Sequence, residues 1–299
     1  LPLEVGASIG ITSYPEHGED VDTLLQRADV AMYLAKDAHA GTATYDVAQD
    51  TNDAARLALA GELRRAIDGD ELVVHYQPKA SLESGRIVGV EALVRWAHPE
   101  RGLVPPNEFV PIAERTGLIK PLTRLVLAKA LAQCAAWNAA GHDLHVAVNL
   151  TIPDLLDLEL PDRIAELLAE TGVAPEHLEL EITESTILAD PFRVRPVLSR
   201  LNEMGLRLAV DDFGTGYSSL AYLKRLPVQT LKIDRSFVAG MCEDPSDATI
   251  VRSTIDLGRS LGLAVVAEGV ESLEVWTSLR ELGCSLAQGY LIGRPAPAD

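Results

Sequence analysis

Asp211 and Asp212 are neighbours at the end of an apolar run, Leu206-Arg-Leu-Ala-Val210, and are followed by Phe213-Gly-Thr-Gly216. Successive residues of a strand point to opposite faces, so adjacent carboxylates share a target only where the strand ends and turns. Glycine supplies such a turn and lets backbone come close to a ligand. Two carboxylates at this spacing repel each other unless a cation or a shared proton intervenes. The pair therefore has two readings: a solvated Asp-Asp-x-Gly turn, or a bridge between metal ions at the tip of a strand.

Other polar residues interrupt apolar runs along the chain and add weight to the second reading. They are Gln77, Glu91 and Arg95 in Glu91-Ala-Leu-Val-Arg95, Asn149, Glu181 and Glu184, Lys232, Glu268 and Gln288. Oxygen ligands without His or Cys select a hard cation, Mg²⁺ or Mn²⁺. Glu91, Glu181, Asp211, Asp212 and Glu268 against Lys232 leave four negative charges uncompensated. Such a site repels a phosphate ester. Two divalent ions bring it to neutrality and leave Arg95 to attract the anion. Paired ions ~3.5–4 Å apart are a standard arrangement for in-line phosphoryl chemistry, lowering the pKa of bound water from ~15.7 towards neutrality. Lys232, on an otherwise apolar run, is costly to bury without a partner.

The elements that would position these residues alternate. Short apolar runs at 72–77, 88–95, 145–149, 178–182, 206–211, 230–233, 264–268 and 285–288 read as strands. Amphipathic segments at 122–139, 161–171, 194–204, 247–261 and 272–282 read as helices, and Gly141, Gly172, Gly205, Gly262 and Gly283 suit their C-terminal ends. Eight strands with intervening helices fit a (β/α)8 barrel, whose active sites form where the carboxyl ends of the strands converge. An open doubly wound sheet is the alternative.

Upstream, residues 1–45 contain a strand at 5–12 and an amphipathic helix at 22–36, too little to bury a core alone. Residues 46–70 read as a linker helix, and the barrel spans 71–299. The formal charge of −18, from 44 acidic and 26 basic residues, argues against duplex nucleic acid or an anionic membrane as the main partner. No run of ~18 apolar residues reads as a membrane span. Cys134, Cys242 and Cys284 are dispersed and odd in number, which suits a reducing cytoplasm. A membrane anchor in the full-length protein stays open. The histidines show no HExxH spacing, so zinc is not expected.

Residues 71–299 resemble the EAL family of cyclic-di-GMP phosphodiesterases. The resemblance is carried by Tyr76-Gln-Pro78, Glu91-Ala-Leu93, Val148-Asn-Leu-Thr151, Glu181-Ile-Thr-Glu184, Asp211-Asp-Phe-Gly-Thr-Gly-Tyr-Ser-Ser-Leu220, Leu231-Lys-Ile-Asp234, Ala267-Glu-Gly-Val-Glu271 and Gln288-Gly-Tyr290. It implies a (β/α)8 barrel that hydrolyses cyclic di-GMP to the linear dinucleotide with Mg²⁺ or Mn²⁺. By the same resemblance Glu91, Asn149, Glu181 and Asp211 hold one ion, and Asp211, Asp212 and Glu268 the other. Lys232 orients or helps deprotonate the attacking water. Glu184 holds the loop after Asp212, Gln77, Leu93, Arg95 and Gln288 contact substrate or site water, and Glu271 supports the site from behind. A homodimer through the barrel is implied too, with residues 212–222 coupling the interface to the metals. Residues 7–11 and 28–36 resemble the end of a GGDEF (diguanylate cyclase) domain without its signature loop, so no cyclase activity is expected, and the full-length protein should carry a further sensory and GGDEF region. A catalytically inactive EAL domain that senses cyclic di-GMP is the rival reading; against it, the segment from Gly214 to Leu220 is intact.

Overall fold

The computed structural model describes residues 8–37, 41–46, 53–215 and 223–298. The start of the strand expected at 5–12, the side chain of Lys36 and the segment 216–222 lie outside the described residues. The chain divides into two units, Leu1–Glu62 and Leu63–Asp299.

In the first unit, β1 (Ile9–Ile11) pairs in parallel with β2 (Thr42–Thr44), and α1 (Val21–Asp37) lies against them. The approach is close at Gly10, where a Cβ would stand 1.8 Å from the carbonyl oxygen of Ala28. Helix α2 (Asp53–Asp68) falls within the segment expected to link the two parts and runs across the division.

The second unit contains β3 (Leu72–Ser81), β4 (Ile87–His98), β5 (Gly102–Val104), β6 (His145–Leu150), β7 (Leu178–Thr183), β8 (Arg207–Phe213), β9 (Thr230–Ile233), β10 (Ala264–Ala267) and β11 (Leu286–Gln288). All except β5 close into a ring in the order β3-β11-β10-β9-β8-β7-β6-β4, with β4 returning to β3. Closure leaves no unpaired edge among the eight. The short β5 pairs with the far part of β4, an addition the apolar pattern did not signal.

The barrel expectation holds in closure and strand number, with one correction. β3 is antiparallel to both of its neighbours, β4 and β11, while the other seven strands are parallel. The reason is local. A tight turn, in which Gly85 N–H donates to the Ser81 carbonyl at 2.8 Å, joins β3 directly to β4 with no crossover helix. A short connection between neighbouring strands allows only the antiparallel arrangement. The carboxyl end of β3 therefore faces the opposite rim, and Gln77 sits inside the strand, in register with Glu91.

Alternation decides what each face of the ring carries. Leu178, Leu180 and Ile182 of β7, and Leu208 and Val210 of β8, are buried on the face covered by helices. Those helices include α3 (Pro106–Thr116), α4 (Ile119–Ala139), α6 (Leu160–Thr171) and α8 (Pro191–Glu203). The turns of chain α5 (Ile152–Leu155) and α7 (Glu184–Ala189) follow β6 and β7 directly. After β9 come α9 (Arg235–Gly240) and α10 (Pro245–Leu261), and α11 (Leu273–Glu281) follows β10. Val251 and Ile255 of α10 and Leu279 of α11 pack with Ile233, Val265 and Ala267 in one fully buried cluster. Each of the Val, Ile and Leu side chains contributes about 1.5–3 kcal/mol through burial. The five glycines expected at helix ends all adopt positive φ. The positions between the apolar ones point inward, and several of them are ionisable.

Candidate metal centre

The inward residues form two polar layers. The upper layer lies at the carboxyl ends of the parallel strands. There Lys232 Nζ stands 2.6 Å from Glu181 Oε2, 2.7 Å from Glu268 Oε1, 3.0 Å from Asp211 Oδ1 and 3.8 Å from Glu91 Oε2. Three strands and the residue that follows β10 thus send a carboxylate to one ammonium group, which is 1% exposed. Asn149 Nδ2 donates to Glu91 Oε1 at 2.7 Å, and Gln288 Nε2 donates to Glu91 Oε2 at 2.6 Å.

Asp211 and Asp212 reach this layer together because β8 breaks its alternation between Val210 and Phe213. Asp212 carries the turn itself with φ of 53°, in the left-handed region that disfavours residues with a Cβ. Its N–H donates to Asp211 Oδ1 at 2.9 Å. One extra residue in the strand brings both side chains to the same side. Carboxylate oxygens of Asp211, Asp212 and Glu268 lie within 4.8 Å of one another.

The lower layer is one pleat deeper. Lys79 Nζ, fully buried, stands 2.6 Å from Glu179 Oε1 and 2.6 Å from Glu181 Oε1. Thr230 Oγ1 donates to Glu179 Oε2 at 2.9 Å. Sequence reasoning missed Lys79, Glu179 and Thr230, although the signal was available. Each lies two residues from a residue already singled out (Gln77, Glu181 and Lys232), which is the spacing that keeps side chains on one face of a strand. Asp234, two residues beyond Lys232, was missed as well. It caps α9 and lies beside Asp212.

The charge states follow from this arrangement. Burial raises the Glu268 carboxyl to about 8, and Asp211 and Glu91 add to the effect against the pull of Lys232. Burial, Asp211 and Asp234 raise Asp212 to about 6. Glu91 is shifted down: burial opposes its charge, but Lys232, Lys79 and the Gln288 amide outweigh burial. In the lower layer burial again opposes the charge of Glu179, yet Lys79 and His145 hold it at about 2. The lysines remain charged despite their burial, because facing carboxylates outweigh it.

The remaining expected residues are distributed unevenly. Glu184 Oε2 accepts from Gly214 N–H at 3.1 Å, while its Oε1 is buried without a partner among the described residues. Arg95 is half-buried; burial lowers its pKa, opposed by the charge of Glu91, and its Nη1 donates to the Val94 carbonyl. Leu93 lies two residues from Glu91 and is partly exposed. Gln77 and Gln288, expected to contact substrate or water, are almost wholly buried; Gln288 Nε2 also donates to Gln77 Oε1 at 3.1 Å, and Gln77 Nε2 to the Gly293 carbonyl. The Gln288 amide thus holds Glu91, and Gln77 backs Gln288. Glu271, expected behind the site, is exposed and takes part in none of these bonds.

The upper layer suits divalent cations. With every carboxylate ionised, Glu91, Glu181, Asp211, Asp212 and Glu268 are set against Lys232, while Lys79 and Glu179 cancel, so four formal negative charges are left over. Burial in a low-dielectric site makes that excess unfavourable without a cation. The donors are all oxygen, the set that hard ions prefer.

Comparisons with known proteins agree with this geometry. The EAL domain family profile matches residues 60–295, and that of the diguanylate cyclase GGDEF domain matches residues 1–42. The bifunctional diguanylate cyclase/cyclic di-GMP phosphodiesterase MucR of Pseudomonas aeruginosa is 44% identical over 299 residues, covering 99% of this chain and 44% of the relative. The cyclic di-GMP phosphodiesterase PdeR of Escherichia coli is 37% identical over 306 residues, covering 100% of this chain and 46% of the relative. The chain thus spans less than half the length of these curated relatives. Among solved structures, the PaMucR phosphodiesterase in complex with c-di-GMP superposes with a TM-score of 0.78 at 46% identity, covering 81% of this chain and 98% of that one.

Proposed function

The chain belongs to the EAL domain family, and on that premise we propose that it hydrolyses cyclic di-GMP to linear pGpG in bacterial signalling, with two Mg²⁺ or Mn²⁺ ions. The observation that carries the reading is the charge excess of the upper layer, four carboxylates around one buried ammonium with a fifth, Asp212, beside them.

Glu91, Asn149, Glu181 and Asp211 would hold one ion, and Asp211, Asp212 and Glu268 the other. Bound there, divalent ions would supply Lewis acidity towards the phosphodiester and acidify the attacking water. The protein's own groups do the rest. Lys232, bonded to Glu181, Asp211 and Glu268, would help orient the attacking water and offset the charge that builds up during attack. Gln288, backed by Gln77, fixes the Glu91 carboxylate, and Leu93 and Arg95 would border the substrate, Arg95 as the cation that meets phosphate. Glu184 ties down the backbone that follows Asp212. The family resemblance further supports a homodimer in which the segment after Asp212 joins the interface to the site, within a longer protein carrying a complete GGDEF and sensory region.

Incubation of the protein with cyclic di-GMP and Mn²⁺ or Mg²⁺, followed by chromatography, tests the reading. Linear dinucleotide whose formation stops with EDTA supports it. Binding of cyclic di-GMP without product under either metal would favour the sensor instead.

A further inference from the structure

The proposed chemistry makes no use of Lys79, yet this residue lies in direct contact with the site. Because β3 runs against its neighbours, Lys79 follows Gln77 inward and comes to rest opposite Gly89, one pleat below Glu91. Gly89 has to be bare. A Cβ there would stand 2.4 Å from Nε2 of His145, whose ring occupies that space. The Lys79 ammonium is thus enclosed, with Glu179 and Glu181 each at 2.6 Å.

Glu181 is gripped from both sides. Its Oε1 accepts from Lys79 below, and its Oε2 accepts from Lys232 above at 2.6 Å. Stability alone is a poor reason for such an arrangement, since apolar residues of similar volume often replace buried ion pairs at no cost. Net charge is a poor reason too, because Glu179 cancels Lys79 and leaves the excess above unchanged. What the pair does supply is direction: one oxygen of Glu181 is tied to the floor and the other is turned to the mouth.

We infer that Lys79 is a positioning residue for the metal centre, anchoring Glu181 through Oε1 so that Oε2 passes between Lys232 and a divalent ion. The inference rests on the reading of Glu181 as a metal ligand. Groups that orient ligands from behind change metal affinity by ~10–100-fold when removed.

Two variants separate positioning from charge. Lys79→Met removes a positive charge beside the site, which by electrostatics alone tightens cation binding, whereas loss of positioning weakens it. Lys79→Met/Glu179→Gln keeps the parent net charge and still lacks the anchor. Mn²⁺ binding without substrate, followed by electron paramagnetic resonance of the free ion, should weaken by ~10–100-fold in both, with melting curves on the same samples establishing that they are folded. Turnover at saturating Mn²⁺ should recover most of its value, so the Mn²⁺ requirement shifts more than kcat. Unchanged or tighter Mn²⁺ binding in a folded variant overturns the inference while leaving the metal reading intact. A parent protein that binds no Mn²⁺ overturns both. Where neither variant folds, the parent structure with Mn²⁺ decides: Glu181 Oε1 still on Lys79 supports the inference, and Oε1 turned to the ion overturns it.

Discussion

The floor and the mouth of the barrel each set a buried lysine among carboxylates, with β7 and β9 serving both, and they differ in whether the charges match. On the floor Lys79 meets Glu179 and Glu181, Thr230 completes Glu179, and the groups are buried with partners. In the mouth four carboxylates compete for Lys232, and burial together with neighbouring carboxylates pushes Glu268 and Asp212 up in pKa. A satisfied buried network makes a rigid support, and an unsatisfied one marks a place for a ligand that brings the missing charge. The lesson is one of position, because a single pleat separates the two conditions.

The largest expected effect breaks the mouth. Glu91→Ala and Lys232→Met should each lower kcat on cyclic di-GMP by at least ~10³-fold at saturating Mn²⁺, in keeping with loss of a positioned ligand or proton-handling group. Hydrolysis at the parental rate by Glu91→Ala would remove the mouth from the chemistry.

The next effect belongs to the floor. Burial holds His145 at about 4, below its ordinary 6.5. The unfolded chain therefore binds the proton more readily between those values, so the stabilisation is present above pH 6.5 and is lost as pH falls to about 4. The loss is about 3 kcal/mol. Glu179, held at about 2, adds a separate loss below its ordinary 4.5. Urea unfolding of the parent and of His145→Leu between pH 4 and 7 checks the first window, since the variant should lack that limb.

The mouth depends on pH in the same direction, but through metal binding rather than folding. Without metal, Glu268 and Asp212 titrate near 8 and 6, so a bound cation must displace protons at neutral pH. Mn²⁺ affinity should climb between pH 6 and 8, on the order of tenfold per unit for each proton released, and level off above. Calorimetry at pH 7 in two buffers of different ionisation enthalpy measures the release directly; identical heats would show that the carboxylates are already charged. The smallest expected effect is that of Glu271→Ala, which should leave kcat within about twofold, because surface changes away from the network are nearly neutral.

Much of this was legible in the chain. Apolar runs gave the barrel strands nearly to their ends, because each run buries one face completely, as at Leu178, Leu180 and Ile182. The reversal of β3 was not legible. Strand propensity carries no direction, and the tight turn before Arg86 is the feature that sets it. Lys79 and Glu179 were passed over because attention went to the ends of the strands, and their partners come from other strands. Gln77 and Gln288 were placed in the right region, but only the assembled barrel shows the Gln288 amide joining Gln77 to Glu91. Glu271, expected behind the site from the resemblance alone, lies exposed after β10, a placement that no pattern in the chain signalled.

The skipped register in β8 has a consequence for anyone wishing to move this centre elsewhere. The paired aspartates depend on a backbone irregularity as much as on two side chains. Grafted onto a regular strand of another barrel, the same dipeptide would send one carboxylate into the lumen and the other under the helices. The transplantable unit is the dipeptide together with its extra residue and left-handed turn, and a deletion of one residue in that stretch would dismantle the site while leaving every carboxylate in the sequence.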